Sequence, residues 1–309
     1  MPHKVSPEDL NDDFSRHEKL VEIRKRRNVV VFERSANIYP RSPENYNSTT
    51  LFFYHGAGGT YKQFKSQITF LLGQGYRVVT CDMFAHGKSR CRVRPENYMF
   101  TFEQYCYDAL KLFDRYCLND QNVLIGHSYG TSLCTLVCNE RKCRVKKLIL
   151  LSGGGPYALA PENYSLFSLP ASLLSCFKPL ILKVFKEACF HSPVKRSSVP
   201  NSELLSIEIE NLRQVMRGQK WDEGDEAYHA LISCPVLLLV GRHDKFIPLA
   251  DEMTMNLVIS QSVLHILEGG HMLPIDCADE VNEIIASFLS NDADVHCKLH
   301  SKTIFKKPK

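Results

Sequence analysis

The chain reads as an α/β protein: an open, mostly parallel sheet with helices on both faces and a helical cap inserted after its sixth core strand. Three observations lead there. Short apolar runs alternate with stretches of helical periodicity, clusters of Gly, His and Asp follow several of those runs directly, and the alternation stops only once, between 152 and about 233.

Residues 28–33 make an early strand, counted as the second of the core, followed by a strand at 51–54, a helix at 61–72 and a strand at 78–81. Within 102–117 the apolar positions Phe102, Tyr105, Cys106, Ala109, Phe113 and Tyr116 keep helical spacing, so one face is buried. The strand at 123–125, a helix after it and a strand at 147–151 complete the first half. After the interruption come a strand at 236–240, a helix after Pro248, a strand at 264–267 and a last helix carrying Val281, Ile284, Ile285, Phe288 and Leu289. No internal repeat is present. The expected organisation is a charged leading segment (1–27), a core (28–151 and 234–290), a cap (152–233) and a basic tail (291–309). Between 166 and 190 the cap holds many large apolar residues, broken by Pro170, Lys178, Pro179 and Lys183. Such a segment over a reactive face reads as a mobile cover for a greasy substrate, or more plainly as a self-packed helical subdomain; the two are compatible.

Gly126-His127-Ser128-Tyr129-Gly130 follows the strand at 123–125 and leads into a helix-compatible stretch, the sequence form of a nucleophile elbow. Glycines flank the serine because a side chain at either place would clash in so tight a turn. A serine hydroxyl needs a base and a group to orient that base. Asp244 lies beyond the strand at 236–240, and His271 beyond the strand at 264–267, past the carboxyl ends where open α/β sheets build their sites. Ser128, Asp244 and His271 are therefore the candidate nucleophile, acid and base, with His243 and Asp251 as weaker alternatives. Acyl transfer also needs N–H donors for an oxyanion. His55-Gly56-Ala57-Gly58-Gly59 follows the strand at 51–54, and the amides of Ala57 and Tyr129 are the candidates. A phosphate-binding loop is disfavoured, because the G-K-[ST] ending is missing.

Composition narrows the remaining classes. The chain has 309 residues, 44% of them hydrophobic, and a formal net charge of +4, which does not call for nucleic acid. The basic clusters at 24–27 and at Lys306, Lys307 and Lys309 could touch anionic lipid but read more plainly as solvated. Twelve scattered cysteines without a C-x-x-C pair suit reduced thiols, with no metal site expected, and the sequons at Asn47 and Asn163 are then idle. The first ten residues lack an apolar leader and no apolar run reaches the ~18 residues of a spanning helix, so the expected setting is cytoplasmic or peripheral to intracellular membranes.

From about 29 to 289 the chain resembles the α/β-hydrolase fold family, through Val123-Leu-Ile-Gly-His-Ser-Tyr-Gly130. Within it the chain is similar to the abhydrolase-domain proteins, through Gly153-Gly-Gly-Pro156, Trp221-Asp-Glu-Gly-Asp-Glu226 and His243-Asp-Lys-Phe246. The resemblance implies the same Ser128, Asp244 and His271, no cofactor, and hydrolysis of a carboxylic ester, with a lipid such as an acylglycerol or lysophospholipid as the expected small-molecule substrate. Membrane or lipid-droplet contact is a further expectation. Ala85 departs from the family, which often has glycine there. His271 and Asp276 also form H-x-x-x-x-D, a pattern of glycerolipid acyltransferases, so formation of phosphatidic acid from lysophosphatidic acid is one alternative; a non-catalytic scaffold is another. A plainer role for Asp276 is to cap the helix that follows.

Overall fold

The computed structural model describes residues 14–35, 49–91, 96–161 and 166–290. Asn47, Asn163 and the lysines of the tail lie outside them. Among the described residues eight strands form one sheet: β1 (Glu18–Arg24), β2 (Arg27–Ser35), β3 (Thr50–Tyr54), β4 (Arg77–Asp82), β5 (Asn122–His127), β6 (Val145–Leu151), β7 (Val236–Gly241) and β8 (Ser262–Leu267). Their order is β1-β2-β4-β3-β5-β6-β7-β8. β2 runs antiparallel to both its neighbours and every pair from β4–β3 to β7–β8 is parallel.

Side-chain alternation divides the core between two faces. Phe52 and Tyr54 of β3 and Leu124 of β5 face one cluster, with helices α2 (Phe102–Tyr116) and α3 (Tyr129–Glu140). Leu51, Phe53, Val123 and Ile125 face the other, with α1 (Lys65–Gly73) and the C-terminal helix 278–290. Burial on both faces is why these strands read as unbroken apolar runs rather than alternating ones.

β1 corrects the leading boundary, since 18–24 belongs to the sheet rather than to a charged segment ahead of it. Its sequence EKLVEIR is charged because an edge strand with an open ladder is guarded by charge. The cluster at 24–27 divides: Lys25 and Arg26 are exposed, as the solvated reading expects, whereas Arg24 and Arg27 are held by the fold. Arg27 is buried, its Nε donates to Asp108 Oδ2 at 2.6 Å, and its guanidinium lies 3.9 Å from the Phe84 ring centroid; Arg24 Nε donates to Asp108 Oδ1 at 2.8 Å. The partner carboxylate stands on α2, 81 residues further on, where spacing along the chain cannot reveal it.

Between β6 and β7 stand α4 (Ala171–Cys176), α5 (Lys178–Cys189), α6 (Pro193–Ser198), α7 (Asn201–Leu204), α8 (Ile209–Arg217) and α9 (Glu226–Ala230). α10 (Leu249–Val258) joins β7 to β8, and α11 (Leu273–Asp276) and α12 (Ala278–Ser290) close the chain's described part. Among the described residues no helix is long and apolar enough to cross a membrane, and no group of His, Cys, Asp and Glu could hold a metal ion.

Candidate active site

β5 ends at His127 and α3 begins at Tyr129, leaving Ser128 alone at the turn with φ 51° and ψ −125°. A non-glycine residue holds such a backbone only where its surroundings over-determine it. They do: the Ser128 N–H donates to Leu151 O at 2.9 Å, and Ser128 O accepts from Thr131 N at 2.9 Å and Thr131 Oγ1 at 2.6 Å. A Cβ on Gly130 would stand 2.1 Å from Tyr54 O, and one on Gly126 would stand 2.7 Å from Gly130 O. The G-x-S-x-G spacing is thus a packing requirement of helix start against sheet. Tyr129 occupies the first helical position, whose N–H has no helix carbonyl behind it.

Asp244 and His271 meet directly. The His271 Nδ1–H donates to Asp244 Oδ2 at 2.8 Å, and the other oxygen, Oδ1, accepts from Phe246 N at 2.8 Å and Ile247 N at 3.0 Å. The Asp244 side chain is fully buried. Burial alone would raise its carboxyl, but the bond and charge of His271, with the two backbone donors, bring it below its ordinary value. Such a partner on Nδ1 leaves the lone pair on Nε2, the state a general base needs.

The serine and the imidazole sit on neighbouring loops. The His127 ring lies 5.0 Å from the His271 ring, and the His127 Nε2–H donates to His271 O at 2.9 Å. Burial pushes His127 down to about 3, so it stays neutral. Among the described residues no hydrogen bond joins Ser128 Oγ to His271; the link between the two loops runs through His127. His243 and Asp251 stand elsewhere. His243 is exposed, bonded to Glu268 at 3.1 Å and stacked on His191 at 3.8 Å, while Asp251 lies in the first turn of α10.

The glycine loop after β3 runs against the nucleophile, since a Cβ on Gly56 would stand 3.1 Å from Ser128 Cβ. Buried His55 holds the loop's base, with its Nδ1–H donating to Gly56 O at 2.8 Å and its Nε2 accepting from Met83 N at 2.9 Å. Burial keeps this ring well below its ordinary value and therefore neutral. The cap holds the loop's tip: Ser206 donates from N to Gly58 O at 2.8 Å and from Oγ to Gly59 O at 2.9 Å. Ala57 sits half-buried between these anchors. Ala85 adopts φ 65°, the left-handed region that favours glycine, so this turn holds an alanine where a glycine would be unstrained.

Asp276 corrects the expected helix cap. It ends α11 rather than starting a helix, and its Oδ2 accepts from Gly270 N at 2.8 Å and His191 N at 2.7 Å, its Oδ1 from Ser192 N at 3.2 Å. One carboxylate therefore clamps the residue before His271 to the cap. Spacing along the chain misses this, as it misses His127 and Glu252. Buried Glu252 on α10 accepts from Gly153 N at 2.7 Å and Gly154 N at 2.9 Å, both through Oε1.

A buried acid–imidazole pair, set beside a serine on a strained strand-to-helix turn and a glycine loop, defines the hydrolase type of open α/β sheet. The chain belongs to the alpha/beta hydrolase family, whose model matches residues 51–284. It is 38% identical over 242 residues to human protein ABHD8, covering 77% of this chain and 54% of that one, so the chain spans about half the length of this relative. A non-heme haloperoxidase of Rhodococcus erythropolis is 25% identical over 258 residues, 78% of this chain and 92% of its own. Among solved structures, an esterase from Exiguobacterium antarcticum aligns with a TM-score of 0.69 at 18% identity, over 85% of this chain and 96% of that one.

Proposed function

We propose that this hydrolase cleaves a carboxylic ester of a lipid through Ser128, His271 and Asp244. The observation that carries the proposal is the 2.8 Å bond from His271 Nδ1 to a fully buried Asp244 carboxylate, on loops adjoining the strained Ser128. His271 Nε2 takes the Ser128 proton as Oγ attacks the carbonyl carbon. The amides of Ala57 and Tyr129 hold the oxyanion, and the proton passes to the leaving alcohol. A water deprotonated by His271 then attacks the acyl-enzyme, releasing the acid and restoring Ser128. This chemistry calls for no metal or organic cofactor.

Two aromatic side chains on one side of the imidazole suit a lipid acyl chain. The Phe246 ring lies 5.0 Å from that of His271, and Phe185 of the cap lies 5.5 Å from Phe246. Acyl transfer to a lysophospholipid has less support, because three backbone N–H groups occupy Asp276, leaving it structural rather than reactive. Purified protein reacted with a fluorophosphonate probe and with a panel of acylglycerols and lysophospholipids tests the proposal. Labelling and hydrolysis are expected in the wild type and lost in Ser128→Ala, with turnover down on the order of 10⁴-fold or more. Folded wild-type protein that neither labels nor hydrolyses any ester overturns it, in favour of a scaffold role.

A further inference from the structure

The cap carries an apolar stripe that no part of the described chain covers. Leu173 is 45% exposed, Phe177 50%, Leu180 57% and Val184 57%. They belong to one continuous helical path, because Phe177 N donates to Leu173 O at 3.1 Å and Ile181 N to Phe177 O at 2.9 Å across the junction of α4 and α5. At 3.6 residues per turn these four positions fall within about 60° of one another. Leu174, Ile181 and Leu182 pack instead against the core, so the same helices present opposite faces to protein and to solvent.

Charge decides what the stripe meets. From 166 to 199 the chain holds Lys178, Lys183, Lys186, Lys195 and Arg196 against one carboxylate, Glu187. That excess of +4 equals the formal net charge of the whole chain, so the remainder balances to zero. A second copy docking on this face would oppose two excesses of the same sign. With Lys183 on its flank and Lys195 and Arg196 on the next helix, against Glu187, the stripe is instead complementary to a negatively charged lipid surface, where large aliphatic and aromatic side chains enter the acyl boundary and the cations meet phosphate and carboxylate headgroups.

We propose that the cap is a membrane-docking surface, seating Leu173, Phe177, Leu180 and Val184 in the interface of an anionic phospholipid bilayer. The docked helix is also the one that reaches the site, since Phe185 on α5 packs at a tilt against Phe246 and Phe246 likewise against His271. Docking thus sets the bilayer beside the apolar residues that lead to the imidazole.

Co-sedimentation of the full chain with vesicles of phosphatidylcholine alone, and of phosphatidylcholine with 30% phosphatidylserine, tests this. The wild type is expected to bind the serine-containing vesicles at least about ten-fold more tightly, and to lose most of that binding when salt rises from about 0.1 to 0.5 M. The double variant Leu180→Ser/Val184→Ser, at exposed positions, is expected to bind at least about ten-fold more weakly with its melting temperature unchanged. Lys183→Glu/Lys195→Glu is expected to do the same and stands in if the first variant does not fold. Ser128→Ala is expected to bind like the wild type, which separates docking from ester cleavage. Wild type that ignores the anionic vesicles overturns the proposal, leaving a protein as the partner of the stripe. Equal binding by the variants overturns it too. A wild-type dimer that Leu180→Ser/Val184→Ser converts to monomer shows that the occupant is a second copy.

Discussion

Replacing Glu252 by Gln isolates the energetic effect of a buried carboxylate that holds the loop after β6. Glu252 is 1% exposed, and both Gly153 and Gly154 donate to its Oε1. Burial raises its carboxyl from the ordinary 4.5 to about 7, against the pull of the two N–H donors and with help from the charges of Asp244 and Asp251. Between those values the native state holds a proton that the unfolded chain has already released, so stability falls as pH rises through that window and levels off above it. The difference between 4.5 and about 7 corresponds to about 3 kcal/mol. Glutamine keeps the accepting oxygen without the charge, and its amide would sit by a polar cavity of about 20 Å³ lined in part by Thr131, Thr135 and His229. Thermal melts of both proteins at pH 5, 6, 7 and 8.5 measure the effect. Near pH 5 the two are expected to melt close together, whereas at pH 8.5 the variant is expected to melt about 5 °C higher, at roughly 1.5–2 °C per kcal/mol for a chain of this length. Parallel melting curves across the whole range would refute the assignment of a buried, titrating Glu252.

Asp244→Asn leaves the shape of the pair but no longer enforces the imidazole tautomer, so kcat on a short-chain ester should fall on the order of 10⁴-fold with the melt little changed; a loss under ten-fold would show that another acid serves His271. Asp276→Ala unpairs three backbone N–H groups and should lower stability by about 2 kcal/mol, since two of them regain water, while also reducing kcat as the residue beside His271 is released. An unaltered melting temperature for that variant would show that the clamp is dispensable. Ala85→Gly relieves a left-handed alanine, worth about 1–2 kcal/mol, but it frees the unfolded chain and removes a buried methyl worth about 0.8 kcal/mol, so the net change in stability should stay within about 0.5 kcal/mol. A melting temperature lowered by several degrees would contradict that balance.

Local physics made much of the scaffold legible from residue order. β3, β5, β6 and β7 are buried on both faces, so each is a run of apolar side chains that needs no knowledge of its neighbours to be recognised. Gly126 and Gly130 were legible for a similar reason, since the close approach they permit lies within one turn and its adjoining strands. Loops beyond strand ends then nominate Asp244 and His271, because a parallel sheet gathers those ends on one side whatever the details of packing.

Contacts between distant segments could not be seen in that way. β1 hides among charges because its role at the sheet edge depends on a ladder partner, and Arg27 resembles a surface cation until Asp108, 81 residues away, is brought beneath it. Asp276 fits the pattern of a helix cap or an acyltransferase motif equally well; its three amide partners, two of them in the cap, exist only once α11 is folded against residues 191 and 192. Residue order therefore determined the layers of the fold and which strand ends carry the candidate chemistry, since periodicity and turn sterics act over a few residues. Tertiary structure alone decided how His127, Ser206, Glu252 and Asp276 brace that site, because hydrogen bonds across tens to hundreds of residues leave no periodic trace in the chain.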